Sequence, residues 1–307
     1  MRSVFLNTLL AAALIGCAYS ASNGSAFVGR WDFDLPHGAS WLGITDKGGS
    51  LDVWFQPTGG NVYELKDVKV EGSKLLLTIN PGDASANRPP VIWELEASDN
   101  KLTGEQKVGE KTMPLHGVRT PELDRPEPAK WSAPEPLFNG KNLDGWEPIG
   151  NPANSHWTVI DGDLVNEQHG DNLRTTRKFT DFKVHYEVNC PEGGNSGFYL
   201  RGRYEVQIEY EPLSSNPPER RIGSIYGRIT PKEMPRTPGQ WETFDVTLVG
   251  RTVTVKRNGV TTIDHQKIEG ITGGALDANE GEPGPFYIQG DHTGGLKFRN
   301  IRVQVPE

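Results

Sequence analysis

Positive charge is in short supply. The 307 residues carry 32 Lys and Arg against 40 Asp and Glu, a formal charge of -8. Nucleic-acid binding needs a basic footprint for phosphates, so no nucleic acid partner is expected. No long run of like charge occurs either, which leaves the acidity on a solvated surface. Cysteine is nearly missing. Cys17 and Cys190 are the two present, and they are not expected to pair, because Cys17 lies in a targeting segment. The apolar stretch Val4–Gly16 is too short for a stable membrane span. There is no dinucleotide fingerprint and no dense metal motif such as His-x-x-x-His or Cys-x-x-Cys. Glycine (36) and proline (23) are abundant, as in turn-rich all-β proteins. The length suits two ordinary domains or one large β domain.

Met1-Arg2 and the apolar Val4–Gly16 read as the first two regions of an export signal. The segment ends in Leu14-Ile15-Gly16-Cys17, which resembles the lipobox of bacterial lipoproteins. The resemblance implies cleavage before Cys17 and lipidation of its thiol. Ala18 follows, with no aspartate to hold the product at an inner membrane. An exported protein on the outer membrane, or facing the periplasm, is the expectation for a cell with two membranes. The alternative is an ordinary secretory signal with an incidental cysteine. Residues 17–24 are small and polar and read as a tether. Cys190 follows an alternating strand and reads as a small buried residue.

Short strands follow from Phe27 onward. They read at Val28–Phe33, Trp41–Thr45, Ser50–Gln56, Asn61–Glu71, Lys74–Asn80, Val91–Ala97, Lys101–Lys107 and Lys111–Arg119. Gly48-Gly49, Gly59-Gly60, Pro81-Gly82 and Asp99-Asn100 supply turns. Residues 25–120 therefore form a small antiparallel barrel or sandwich. The opening Gly29-Arg30-Trp31 and the closing Gly117-Val118-Arg119 are loosely lipocalin-like in shape. His37 and His116 are lone histidines and read as surface or turn residues. Prolines 121, 126, 128, 134 and 136 then mark a semi-rigid linker over residues 121–136.

Residues 137–307 read as a second all-β domain. Strands are expected at Trp157–Ile160, Leu164–Glu167, Arg174–Lys178, Phe179–Asn189, Ser224–Ile229, Trp241–Val249, Thr252–Arg257, Thr261–His265, Gly284–Gln289 and Leu296–Val305. Asn258-Gly259 is the strongest hairpin turn. Sequential strands with long connections and no helix suggest a two-sheet jelly roll.

The most informative stretch is Asn195–Tyr210. Arg203, Glu205, Gln207 and Glu209 fall on one strand face; Tyr204, Val206, Ile208 and Tyr210 fall on the other. Gly202 marks a turn, so Asn195–Arg201 pairs back as the other arm of a hairpin. A face that carries Asn, Arg, Glu and Gln together can hydrogen-bond many hydroxyls at once, as a sugar requires. The alternative is an exposed sheet face with ordinary cross-strand ion pairs.

Six spaced motifs give a resemblance. They are Leu137-Phe138-Asn139-Gly140-Lys141-x-Leu143-x-Gly145-Trp146, Asn195-Ser196-Gly197-x-Tyr199-x-Arg201-Gly202, Tyr204-Glu205-Val206-Gln207-Ile208, Tyr226-Gly227, Gly239-Gln240-Trp241 and Phe298-Arg299-Asn300-Ile301. Together they resemble the 3-keto-disaccharide hydrolase family over about residues 135–307. The resemblance implies a concanavalin-A-like jelly roll and action on 3-keto glycosides. Glu242 departs from the pattern, where an asparagine is common. The run Gln289-Gly290-Asp291-His292-Thr293 departs too, because a glycine commonly follows the histidine. Both bear on substrate choice, and the second also on where the histidine sits.

A ketone at C3 acidifies the proton on C2. Its removal gives an enolate, and the C1 substituent leaves by β-elimination. Water can then add, for net hydrolysis. No oxocarbenium ion forms, so the paired carboxylates of ordinary glycosidases are not required. The chemistry needs one base, one acid and a donor or metal for the enolate oxygen. His292, beside Asp291, is the expected base or a metal ligand. Glu205 is the second candidate for base, acid or metal ligand, its alternative being an ion pair with Arg201 or Arg203. Arg201 stabilises the enolate oxygen or serves a structural bond. Asn195, Gln207 and Gln289 orient hydroxyls, and Tyr226 donates or stacks. A divalent cation on Glu205 and His292 is a cofactor that the resemblance leaves open. Trp146 and Trp241 read as core residues. A separate sugar 3-oxidase would supply the keto group. Two rival functions stand beside the enzyme: a non-catalytic glycan-binding lipoprotein, and an adhesion module built on the N-terminal barrel.

Overall fold

The computed structural model describes residues 24–82 and 84–307, so the export signal and Cys17 lie outside the described residues. The first nine strands are β1 (Gly29–Leu35), β2 (Gly38–Asp46), β3 (Leu51–Gln56), β4 (Tyr63–Glu64), β5 (Val68–Glu71), β6 (Lys74–Asn80), β7 (Val91–Ser98), β8 (Lys101–Val108) and β9 (Lys111–Arg119). They form one antiparallel sheet in the order β4-β3-β2-β1-β9-β8-β7-β6-β5.

The expected strand Asn61–Glu71 is broken into β4 and β5 for a physical reason. These are the two ends of the sheet, and only three residues join them. Within that joint, Leu65 N donates to Val53 O of β3 (2.8 Å) and Asp67 O accepts from Thr78 N of β6 (3.0 Å). The joint therefore holds both ends, and the sheet curls into a barrel. Its interior is filled: Trp93 packs on Phe33 (ring centroids 4.9 Å) and on Phe55 (5.2 Å). Burying each such ring contributes about 1.5–3 kcal/mol. The opening and closing motifs meet, with the Arg119 guanidinium 4.1 Å over the Trp31 ring. Gly29 makes room for it: at φ +139, a Cβ there would lie 1.9 Å from Arg119 Nη1.

The remaining strands are β10 (Glu135–Pro136), β11 (Trp146–Ile149), β12 (Trp157–Ile160), β13 (Asp163–Asn166), β14 (Asn172–Thr175), β15 (Phe182–Asn189), β16 (Asn195–Leu200), β17 (Tyr204–Glu209), β18 (Trp241–Val249), β19 (Thr252–Arg257), β20 (Val260–Lys267), β21 (Tyr287–Ile288) and β22 (Leu296–Gln304). One sheet runs β12-β13-β22-β15-β18-β19-β20, with β10 on β22; the other runs β11-β14-β21-β16-β17. Between the two sheets lies a single core. Phe182, Val184, Tyr186 and Val188 enter it from β15, as their alternation requires, and meet Phe198, Val206 and Ile208 from the facing sheet. Tyr186 stacks on Phe198 at 4.2 Å. The protein is all-β: a jelly-roll sandwich preceded by a small antiparallel barrel.

Several strand expectations need correction. Ser224–Ile229 is a loop with only isolated bridges, Val206↔Ile225 and Ile225↔Ile229. Gly284–Gln289 shrinks to the two residues of β21, and β11 was not foreseen. The proline-rich segment does not hang free. Arg125 pairs with Asp181 (3.1 Å), Trp131 bridges to Pro306, and β10 pairs with β22. Proline removes donors, but its carbonyls and its neighbours still accept, so the strap can lie along the sandwich edge.

Candidate active site

The hairpin β16–β17 is the floor of the site. Register pairs Tyr199 with Glu205 and Gly197 with Gln207. All six residues of β17 are buried. Tyr204, Val206 and Ile208 face the core. The polar face is not solvated: Arg203, Glu205, Gln207 and Glu209 are at most 3% exposed. This excludes the exposed-face alternative. Gly197 is required beside Glu205, since a Cβ there would sit 2.2 Å from Glu205 Oε1.

Above this face lies a cavity of ≈ 480 Å³, a size that holds a small ligand. Asn195, Glu205, Gln207, Tyr226, Gln289, Asp291 and His292, all expected site residues, line it. Arg201 does not. It sits in the turn at φ +53, fully buried, and donates to Gly250 O (2.7 Å) and to Tyr204 Oη (3.3 Å). A positive φ takes it out of the strand alternation, so its side chain leaves the polar face. Its expected role at an enolate oxygen is therefore corrected to a structural one. Arg203 is also engaged elsewhere, with Asp277 (2.7 Å). Glu205 thus pairs with neither arginine.

Proton bookkeeping around Tyr199 defines the state of Glu205. The Tyr199 hydroxyl is 2.6 Å from Gly273 O and 2.8 Å from Glu205 Oε2, and it accepts from Gln289 Nε2 (3.1 Å). A phenol has one proton. If it goes to the Gly273 carbonyl, which can only accept, the Glu205 contact needs a proton of its own. Burial pushes the Glu205 carboxyl up to about 8, against the opposing pull of the Tyr199 hydrogen bond and the His292 charge. A neutral carboxylic acid satisfies every partner.

His292 stands beside a carboxylate. Its Nδ1 is 3.1 Å from Asp291 Oδ1. The two neighbours meet because they sit in a loop, where strand alternation does not separate them. The hydrogen bond to Asp291 pushes the imidazole up to about 9, with Glu205 adding to it and burial opposing. Asn172 holds the carboxylate from the other side (Nδ2 to Asp291 Oδ2, 3.4 Å) and accepts from Gly290 N (2.7 Å).

Gln289, 8% exposed, and Asn195 line the cavity, and each keeps a buried amide oxygen without a protein partner. Tyr226 is half-buried at the margin. Among the described residues no group of three or more His, Cys, Asp or Glu is arranged to hold a metal ion.

The sequence reading missed Tyr199 and Tyr287, which stack at 3.8 Å under the cavity, and Asn172. Tyr199 lay within a quoted motif. Tyr287 and Asn172 come from separate strands with no shared pattern. Glu242, expected to bear on substrate choice, is 2% exposed, pairs with Arg257 and accepts from the Tyr210 hydroxyl. It is not on the cavity wall. Trp146 is in the core as expected, and half-buried Trp241 carries the Arg299 guanidinium 3.9 Å over its ring. Burial pushes the Cys190 thiol well up, away from reactivity.

The jelly-roll sandwich gathers Glu205, Gln289, Asp291 and His292 around one small cavity. The profile of the 3-keto-alpha-glucoside-1,2-lyase-like domain matches residues 133–304, more than half of the chain, and the chain belongs to this family. A 3-keto-disaccharide hydrolase of Bacteroides thetaiotaomicron is 25% identical, covering 55% of this chain and 77% of that protein. A candidate glycosyl hydrolase of Parabacteroides distasonis, known from a crystal structure, is 29% identical, with a TM-score of 0.48 over 61% of this chain and 94% of that one. A second from the same organism is 19% identical, with a TM-score of 0.47 over 55% and 92%.

Proposed function

We propose that this protein cleaves 3-keto glycosides by removing the proton on C2 and expelling the C1 substituent. The observation that carries the reading is the placing of buried Glu205 and of His292 on the lining of one cavity. Glu205, once ionised, takes the C2 proton. Those electrons form the C2–C3 double bond of an enolate, with negative charge on the ketone oxygen. Its collapse restores the ketone, makes a C1–C2 double bond and breaks the C1–O bond. His292 gives its proton to the departing oxygen. Water adding at C1, with a proton returned to C2, completes net hydrolysis; release before that step makes the protein a lyase. Of the roles left open by the sequence this takes Glu205 as the base, and it makes His292, expected as base or metal ligand, the acid, because His292 holds its proton more tightly than Glu205 does.

The active form needs Glu205 without its proton and His292 with it. We expect kcat/KM to rise with pH through about 8 and fall through about 9. The assay is release of free sugar from a panel of 3-keto disaccharides across that range. A profile that declines from pH 6 upward would reject the assignment of the two groups. Intact sugar bound tightly and recovered unchanged would replace the enzyme by a glycan-binding protein. We also propose export and lipid anchoring through Cys17, supported by the lipobox sequence, and a separate oxidase that makes the keto sugar.

A further inference from the structure

The cavity is not walled by the sandwich alone. Pro36 and His37, in the β1–β2 turn, Gly38, which opens β2, and Thr58, Gly59 and Gly60, after β3, also line it. These residues belong to the N-terminal barrel, which lies outside the matched residues 133–304. The two loops are docked, not merely adjacent. Gly274 N donates to Thr58 O (2.8 Å), Ala39 N to Ala275 O (3.2 Å), and Ala278 N to Asp34 Oδ1 (2.6 Å). Buried Gln56 fixes the second loop from beneath, its Nε2 donating to Gly60 O (2.7 Å) and Pro57 O (3.1 Å). Packing is close enough that a Cβ on Gly273 would meet Gly60 O at 2.2 Å. An apolar contact of Ala39 and Trp41 with Ile271, Ala275 and Ala278 seals the joint.

We propose that the N-terminal barrel is the aglycone side of this sugar pocket, and that its two loops decide which C1 substituents are accepted. This rests on the reading of the site as a 3-keto glycoside cleaver. Glu205, His292, Tyr199 and Gln289 all come from the sandwich, so the reacting ring must lie against that sheet. What hangs from C1 must leave the sheet, and the barrel loops supply the wall that the sandwich does not. That wall is backbone, threonine and a histidine rather than an aromatic platform. It selects by shape and by hydrogen bonds to hydroxyls.

Gly59 offers the test. It lines the cavity, its φ lies outside the positive range, and a Cβ there meets nothing within 4 Å. Gly59→Trp narrows the wall without strain in the loop. Two 3-keto glucosides are compared, one with a methyl and one with a glucosyl group on C1. We expect Gly59→Trp to lower the ratio of kcat/KM, glucosyl over methyl, by about tenfold or more, which is at least 1.4 kcal/mol. His37→Trp, on the other loop, should shift the ratio as well and guards against a fold defect in the first variant. Ratios equal to wild type in both variants, at unchanged melting temperature, overturn the proposal. If wild type cleaves neither compound, the reading of the reaction fails instead. The same ratio is then read from calorimetric binding of the two compounds, and equal loss for both would overturn the barrel's role.

Discussion

Glu205→Gln should reduce turnover of a 3-keto disaccharide by about 10²–10⁴-fold, the range that a positioned general base contributes. The substitution is close to isosteric, and burial already favours the neutral carboxyl beside Tyr199. The Gln amide can donate to the Tyr199 hydroxyl as the protonated acid does, so the fold has no reason to suffer. Above pH 8 it should gain. A carboxyl with its folded value raised to about 8 from an unfolded 4.5 binds its proton more tightly when folded. Stability from that group is full below pH 4.5 and is lost as pH rises through about 8. Gln has no proton to lose, so the variant should melt higher than wild type at pH 9 and alike at pH 5. An active Glu205→Gln protein would remove the base from the scheme.

Arg251→Ala should be the most destabilising single change near the joint between barrel and sandwich. Arg251 and Glu280 are both fully buried and pair at 2.6 Å. Arg251 also donates to Ile268 O (3.0 Å) and Glu269 O (2.7 Å). Removing one partner of a buried pair costs about 3–5 kcal/mol, because the other charge stays without compensation. Here the remainder is worse than usual. Asp32 of β1, also buried, is pushed up to about 9 by its burial and then by the Glu280 charge. Without Arg251, Glu280 keeps the Tyr204 hydroxyl but loses its ion-pair partner, with the Asp32 carboxyl beside it. Urea unfolding followed by tryptophan fluorescence measures the loss. A change below about 1 kcal/mol, as for a surface ion pair, would contradict the buried pairing.

Much of this site was legible in the sequence, and the limits have physical causes. Strict alternation from Arg203 to Glu209 identified the floor, because strand geometry forces period two wherever one face is a core. Asn258-Gly259 identified a hairpin, and both residues have positive φ (48° and 77°), as such a turn demands. Arg201 was misplaced because alternation ends where the turn begins, and no local pattern marks that residue. Whether the polar face was solvated or covered could not be read either. Above Glu205 and Gln207 the cover comes from residues 36–38, 58–60 and 273–276, brought together only by the docking of two cores. His292 lines the cavity, as its motif suggested it would, but its electrostatic setting depends on Asp291 and Glu205, which only the folded chain brings near it. The barrel's own role at the cavity left no trace in composition or motif.

The central claim is removal of the C2 proton by Glu205, and isotope at that carbon tests it most directly. A 3-keto disaccharide with deuterium at C2 is incubated with the protein in ordinary water. The scheme predicts slower release of sugar than from the protium compound, with deuterium lost to solvent from the keto-sugar product. Release at equal rate with the label fully retained at C2 would contradict it.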